Sequence, residues 1–219
     1  MKPTVPVLLA ISAVMLAISP FLIDAAPPEV TMGLVQKIFY VHLPSAMLFM
    51  VASVACGSAS AVFLLGGRRP QIDRVALAAA ELAIVFGLIT LVTGPLWGRK
   101  AWGVWWVWDV RLTSTLVMWL LSWSFVLLRR FGGPGSEVLS AGVGLFGMAL
   151  VPFVYWSVNL WRTLHPKTSV LPTLPASMGL PLWWDVAAFA CLFGALLALR
   201  TRLERLRTDV DTALADADE

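Results

Sequence analysis

Six apolar runs constrain this chain more than any other feature, because each is about as long as a helix must be to cross roughly 30 Å of hydrocarbon. The runs cover residues 5–23, 43–65, 75–96, 112–128, 138–156 and 183–199. Membrane barrel strands would instead alternate apolar and polar residues over about ten positions. The runs therefore predict an all-α integral membrane protein whose six transmembrane helices form one domain over residues 1–219.

The basic residues of the connections predict how these helices are oriented. Ten lysines and arginines lie on one side of the predicted membrane and six on the other. Because basic residues are retained in the cytoplasm, both termini are expected there, with residues 201–219 as a cytoplasmic tail that is frayed and solvated. Hydrophobic residues make up 59% of the chain, so the net charge of +3 reflects this topology and does not indicate a nucleic-acid partner.

The long connections all fall on the predicted outer side, whereas the two inner turns are short. The outer connections cover residues 24–42, 97–111 and 157–182. No Gly-x-x-x-x-Gly-Lys-Ser/Thr phosphate loop occurs in the sequence, so the chain is not expected to hydrolyse ATP or to be an enzyme of that kind. Long irregular connections are usually functional or mobile, and we therefore look for a site on the outer face.

Both histidines of the chain belong to this outer face, His42 in FYVHLPSA and His165 in RTLHPKTSV. Pro44 suits the first turn of a helix, which predicts that His42 stands at the mouth of the second span. Pro166 disfavours helical geometry at the residue before it, so His165 is expected in a loop. A single histidine here is most simply an interfacial polar residue, but a pair that flanks the segment 97–111 favours a shared ligand.

That segment, AWGVWWVWDVRLTS with its flanks, is rich in tryptophan. Trp102, Trp105, Trp106 and Trp108 fall within seven residues. An aromatic belt would mark both membrane interfaces, whereas nine of the 11 tryptophans lie at predicted outer helix ends and none at an inner end. Aromatic faces gathered on one side suit a large planar ligand, because stacking rewards flat apolar area.

Two imidazoles, an aromatic floor and surplus basic residues together predict a haem site. Histidine is a usual axial ligand, and basic side chains can pair with the propionates. The basic candidates on this face are Lys37, Arg99, Lys100 and Arg111. Cys56 and Cys191 are isolated in mid-span, and the Cys-x-x-Cys-His signature of covalent attachment does not occur. The haem would therefore be held non-covalently, at an edge that suits loading and release.

Two other kinds of membrane subunit fit the same residues. The tryptophans could instead form a protein-docking surface on a subunit without haem. The histidines could instead handle protons or a quinol. Among the carboxylates, Asp109 and Asp185 each precede a predicted helix and are expected to cap it, and Glu81 is expected to be structural despite its place in the third span.

The segment WGRKAWGVWWVWDVRLTS, residues 97–114, resembles the tryptophan-rich WWD signature of the haem-handling proteins of cytochrome c maturation. With six spans and the segments YVHLP and TLHP around it, almost the whole chain is similar to the CcmC family. The resemblance implies a bacterial inner-membrane protein that passes haem b to the chaperone CcmE. It also implies CcmD, the ABC-transporter subunits CcmA and CcmB, and membrane lipid as partners.

The resemblance assigns roles to particular residues. His42 and His165 would be the axial iron ligands. Arg111 would be a basic contact, and Lys37 is a weaker candidate for a similar contact. The platform beneath the haem would consist of Trp102, Trp105, Trp106, Trp108 and Asp109.

Overall fold

The computed structural model describes residues 4–217, with the side chains of residues 168–170 excepted. Lys2 and residues 218–219 of the predicted tail lie outside the described residues. Six α-helices are long and apolar enough to cross a membrane, which confirms the predicted all-α membrane fold. They are α1 (Thr4–Ala25), α2 (Phe39–Leu65), α3 (Pro70–Trp102), α4 (Val110–Phe131), α5 (Ser136–Leu160) and α6 (Ala176–Ala217). Two short 3₁₀ helices lie between them, Leu34–Ile38 and Thr168–Thr173.

The bundle has two ends of different chemistry. One end, here called the histidine end, carries the connections 26–38, 103–109 and 161–175. The other, here called the arginine end, carries the turns 66–69 and 132–135 and the last turns of α6.

Helix α3 is the centre of the bundle. In its most apolar window 61% of residues are buried, against 11% for α1 and 17% for α4. Phe49, Ala83, Phe86 and Met118 form the middle of the core, where α2 and α3 pack against α4. Close packing on all sides holds α3 in place, and it therefore fixes the positions of the side chains at the ends of this helix.

The helices extend beyond the predicted apolar runs at several ends. Helix α2 begins at Phe39, so His42 lies in its second turn and Pro44 is not in the first turn, contrary to prediction. Helix α3 continues past residue 96 to Trp102, where Gly103 closes it with φ +79° and the Arg99 guanidinium donates to the Gly103 carbonyl. Hydropathy marks the hydrocarbon length, whereas a capped helix continues through polar residues into water.

The C-terminal segment and Asp185 also differ from prediction. Helix α6 continues to Ala217 instead of fraying after residue 200. Good helix formers and the i,i+4 ion pairs Arg200–Glu204 and Arg205–Asp209 explain this extension. The predicted cap at Asp185 is wrong, because α6 begins at Ala176 and the Asp185 carboxylate is buried against the Ser19 hydroxyl of α1.

Candidate functional site

His42 lies in a slot between α2 and α3 at the histidine end, and only 8% of its surface is exposed. Its Nδ1 atom lies 2.9 Å from the Thr93 hydroxyl oxygen. The indole of Trp97 meets the imidazole edge to face, with ring centroids 5.8 Å apart. A Cβ atom on Gly94 would stand 3.4 Å from Cε1, so the absence of a side chain there makes room for the ring.

His165 lies in the connection between α5 and α6, where its ring is half-buried. Its Nδ1–H donates to the Pro166 carbonyl at 2.9 Å, and its backbone N–H donates to the Thr163 hydroxyl at 3.1 Å. Burial and, to a smaller extent, the nearby Arg111 guanidinium lower the pKa of His165 to about 4, against smaller opposing effects of the Pro166 hydrogen bond and Asp109. The imidazole is therefore neutral at pH 7, which is the form that binds iron.

The fold brings the two histidines to one place. They come from residues 42 and 165, yet their rings are close enough to interact electrostatically, and Arg111 acts on both. The Arg111 guanidinium donates to the Val154 carbonyl at 2.5 Å. Among the described residues it forms no ion pair with a carboxylate, so its positive charge is available to an anionic ligand.

A small cavity that is partly open to solvent lies beside this pair, and it is lined by most of the predicted tryptophan platform. Its walls include Gly94, which also borders His42, and Leu164, which precedes His165. The Nε1–H group of Trp106 is buried there without a hydrogen-bond partner among the described residues. A buried donor of this kind is costly unless an acceptor reaches it, and a bound ligand can supply one. The lining consists of Gly94, Pro95, Gly98, Trp102, Val104, Trp105, Trp106, Val107, Asp109, Leu112 and Leu164.

Five of the predicted site residues are not part of the cavity lining: His42, His165, Arg111, Trp108 and Lys37. Trp108 does not line it, and instead packs edge to face on Trp106 at 5.7 Å with 75% of its surface exposed. Lys37 donates to the Asp24 carbonyl at 2.9 Å and lies 3.3 Å from the Asp24 carboxylate. Lys37 is thus engaged on α1 in this structure, and Arg111 is the basic residue that the fold brings to the histidines.

Asp109 joins three parts of the site. Its Oδ1 accepts from the Leu112 backbone N–H at 2.7 Å, which confirms the predicted cap of α4. Its Oδ2 accepts a short hydrogen bond from the Thr163 hydroxyl, two residues before His165. The carboxylate also lines the cavity. One side chain therefore ties the tryptophan segment to the connection that carries His165.

Sequence reasoning did not identify Thr93, Gly94 or Thr163 as parts of the site. Thr93 and Gly94 stand in the sequence TGP, where polar and helix-breaking residues interrupt the third apolar run. That interruption is a usable signal, because Pro and Gly are kept in transmembrane helices where neighbours satisfy the freed backbone groups. The partner of Thr93 is 51 residues away, so only the packing of α2 on α3 shows which side chain it serves.

Comparison with known proteins identifies the family of the chain. The family model of haem exporter protein C, CcmC, matches residues 1–216. The chain is 36% identical over 211 residues to haem exporter protein C of Bradyrhizobium diazoefficiens, covering 94% of this chain and 80% of that one. It is 34% identical over 185 residues to haem exporter protein C of Escherichia coli K12, covering 81% and 73%.

A third relative comes from a plant. A ccmC-like mitochondrial protein of cytochrome c biosynthesis in Marchantia polymorpha is 34% identical over 180 residues, covering 81% of this chain and 77% of that one. The family model covers nearly the whole chain, including His42, the tryptophan segment and His165. The chain therefore belongs to the CcmC family, haem exporter protein C.

Proposed function

We propose that the histidine end binds haem b without a covalent bond, with His42 and His165 as the two iron ligands, and delivers it to the chaperone CcmE. The observation that carries the proposal is the convergence of the two imidazoles, within electrostatic range of each other, beside a tryptophan-lined cavity. The chain has only these two histidines. A neutral imidazole from each can bind iron, which accepts two axial ligands.

The residues around the histidines fit haem chemically. Trp102, Trp105 and Trp106 offer aromatic surface for a flat macrocycle. Arg111 offers a guanidinium without a carboxylate partner among the described residues, which suits a propionate. The buried Nε1–H of Trp106 can donate to an acceptor on the ligand. Aromatic area, a cation and a donor thus match the apolar ring and the acidic edge of haem.

Family membership supplies the wider setting. The chain is a multi-pass membrane protein of the Ccm system that handles haem for cytochrome c maturation, as a transport component rather than a catalyst. We further propose the bacterial inner membrane, with both termini in the cytoplasm, as its location. CcmD and the subunits CcmA and CcmB would be its partners and would supply the ATPase that this chain lacks.

The exposure of the site suits transfer rather than storage. Trp105 is 58% exposed and Trp108 is 75% exposed, whereas His42 is almost fully buried. A ligand held at this end would keep one edge in the tryptophan segment, where a partner such as CcmE can reach it. The second imidazole lies on a loop, and a loop can release its ligand without repacking the helices.

The test is the visible spectrum of the purified protein titrated with ferric haem b. The wild type is expected to give the Soret band of six-coordinate, low-spin haem. His42→Ala and His165→Ala should each leave five-coordinate or water-bound iron with weaker retention, and added imidazole should partly restore the low-spin band. Arg205→Met, which alters only an exposed pair at the arginine end, is the control.

Two results would contradict the proposal. A wild-type protein that leaves the spectrum of the added haem unchanged would favour a docking subunit without haem. An unaltered low-spin spectrum in either alanine variant would show that the replaced histidine is not a ligand. Delivery is tested separately, by loading of CcmE in membranes that contain each variant at the wild-type level.

A further inference from the structure

We propose that Thr93 is a positioning residue that holds the proton of His42 on Nδ1 and so leaves Nε2 as the ring's only free lone pair. Only the identity of the ligand at Nε2, which is haem iron, rests on the proposed function. The tautomer itself is a property of the protein without haem, and it can be measured there.

The argument starts from the single hydrogen of the Thr93 hydroxyl. The Thr93 hydroxyl oxygen lies 2.6 Å from the Ile89 carbonyl oxygen, one helical turn earlier. Two oxygens this close repel each other unless a hydrogen lies between them, and a carbonyl has none to give. The Thr93 hydrogen therefore points to Ile89. The contact with the Thr90 carbonyl is longer, at 3.4 Å, and does not compete.

The consequence falls on His42. Its Nδ1 lies 2.9 Å from the same hydroxyl oxygen, which has only lone pairs left on that side. A hydrogen bond there requires the proton on Nδ1, because two lone pairs facing each other would leave a buried polar contact unsatisfied. Among the described residues no protein atom is hydrogen-bonded to Nε2 of His42. The ring is thus oriented as a neutral donor at one nitrogen and an open ligand at the other.

The residues around the His42 imidazole hold the ring in this orientation. Thr93 belongs to the central helix α3, and its hydroxyl is fixed by the back-bond to Ile89. The ring is confined by Trp97 and by the backbone at Gly94. With 8% of His42 exposed, water has little room to replace the Thr93 hydroxyl as the acceptor.

His165 reaches the same tautomer by another route. Its Nδ1 lies 2.9 Å from the Pro166 carbonyl oxygen, which can only accept. Both imidazoles therefore present Nε2, but one is set by a side chain and the other by the main chain. Histidine ligands usually donate their second N–H in this way, and loss of the acceptor typically weakens metal binding about 10–100-fold. Only the His42 acceptor can be removed by substitution.

The first experiment measures the tautomer in the haem-free protein by ¹⁵N NMR of labelled histidine. The chain contains two histidines, so His42→Ala and His165→Ala assign both sets of signals. The wild type is expected to show Nδ1–H on both rings. Thr93→Val, which keeps the shape and removes the acceptor, should shift His42 towards Nε2–H and leave His165 unchanged. Thr93→Ser should retain the wild-type pattern.

A matched control is present one turn away. Thr90 is also buried in α3 and its hydroxyl donates to the Phe86 carbonyl at 2.9 Å, and it has no hydrogen bond to a histidine among the described residues. Thr90→Val therefore loses the same kind of back-bond and should leave both tautomers unchanged. A wild-type His42 with its proton on Nε2, or a Thr93→Val variant that keeps Nδ1–H, would overturn the proposal.

The second experiment titrates the same variants with ferric haem b. Thr93→Val should bind about 10–100-fold more weakly, with a smaller low-spin fraction, whereas Thr93→Ser and Thr90→Val should stay within about threefold of the wild type. Unchanged affinity in a Thr93→Val variant whose tautomer has shifted would overturn the role of Thr93 towards the ligand. A wild type that binds no haem would overturn the proposed function instead, and the NMR result would still decide the tautomer.

Discussion

The two ends of the bundle both hold polar groups inside a largely apolar protein, but they satisfy them differently. At the arginine end, Arg130 lies 2.9 Å from the Glu81 carboxylate and 2.5 Å from that of Glu204. Arg200 lies 2.6 Å from Glu81 and 3.2 Å from Glu204. Two guanidinium groups and two carboxylates thus balance one another and join α3, α4 and α6.

At the histidine end the polar groups are incompletely matched. His42 and His165 each keep an open Nε2, the Trp106 N–H has no acceptor, and Arg111 has no carboxylate, all counted over the part of the chain that the structure describes. Buried polar groups that satisfy each other stabilise a fold, whereas those left open call for a ligand. Arg129 Nε and Glu137 Oε2 at the arginine end also lack a partner among the described residues, so the contrast holds for the four-residue cluster and not for that whole end. Within the cluster, the matched charges support the structural interpretation of Glu81.

The largest expected effect comes from breaking the arginine end. Arg130→Met keeps the length of the side chain but leaves Glu81 and Glu204 with one guanidinium between them. We expect a loss of about 2–4 kcal/mol in the free energy of unfolding, between the values for exposed and fully buried pairs. Haem affinity per folded molecule should not change. Thermal unfolding in detergent and haem titration measure the two quantities.

The control for this change is Arg205→Met. Its pair with Asp209 is long at 3.7 Å and exposed, so the expected loss is below about 0.5 kcal/mol. Equal losses of unfolding free energy in the two variants would contradict a stabilising role for the arginine cluster. A fall in haem affinity with Arg130→Met would contradict the separation of the structural end from the binding end.

An intermediate effect is expected at Asp109, which belongs to the histidine end but has its own partners. Asp109→Ala removes both the cap of α4 and the acceptor for Thr163, and a lost cap costs about 1 kcal/mol. Asp109→Asn keeps a capping oxygen while weakening the tie to Thr163. We therefore expect the alanine variant alone to lose stability, and both variants to loosen His165 and lower haem affinity. An asparagine variant with wild-type affinity would refute the tie.

The smallest expected effect is on pH dependence. The pKa of His165 is lowered to about 4, from about 6.5 in an unfolded chain. Between these values the unfolded chain binds a proton that the folded ring does not, so stability is full above pH 6.5 and falls as the pH drops. The unfolding midpoint of the haem-free protein should decrease from pH 6.5 to 5, and less so in His165→Gln. Identical slopes would contradict the burial of this ring.

Much of the fold was predictable because its signals are local. Apolar length marks a transmembrane helix wherever it occurs, and all six spans were found, although the ends were not. The missed ends share a cause, since helices α3 and α6 continue outside the apolar runs through residues that hydropathy reads as polar. Asp109 was recognisable as a cap from its neighbours in sequence, whereas Asp185 was misread because Ser19, its partner, is 166 residues away.

The sequence by itself determined that this is a six-helix membrane protein with both histidines and most tryptophans at one end, because periodicity, hydropathy and residue type act over short stretches of chain. The tertiary structure decided which of those residues meet. In the folded protein Lys37 pairs with Asp24, Arg111 lies near the histidines, and the Thr93 hydroxyl contacts the His42 ring. Those contacts depend on how α2 packs on α3 and how the last loop returns, and hydrogen bonds act only over about 3 Å.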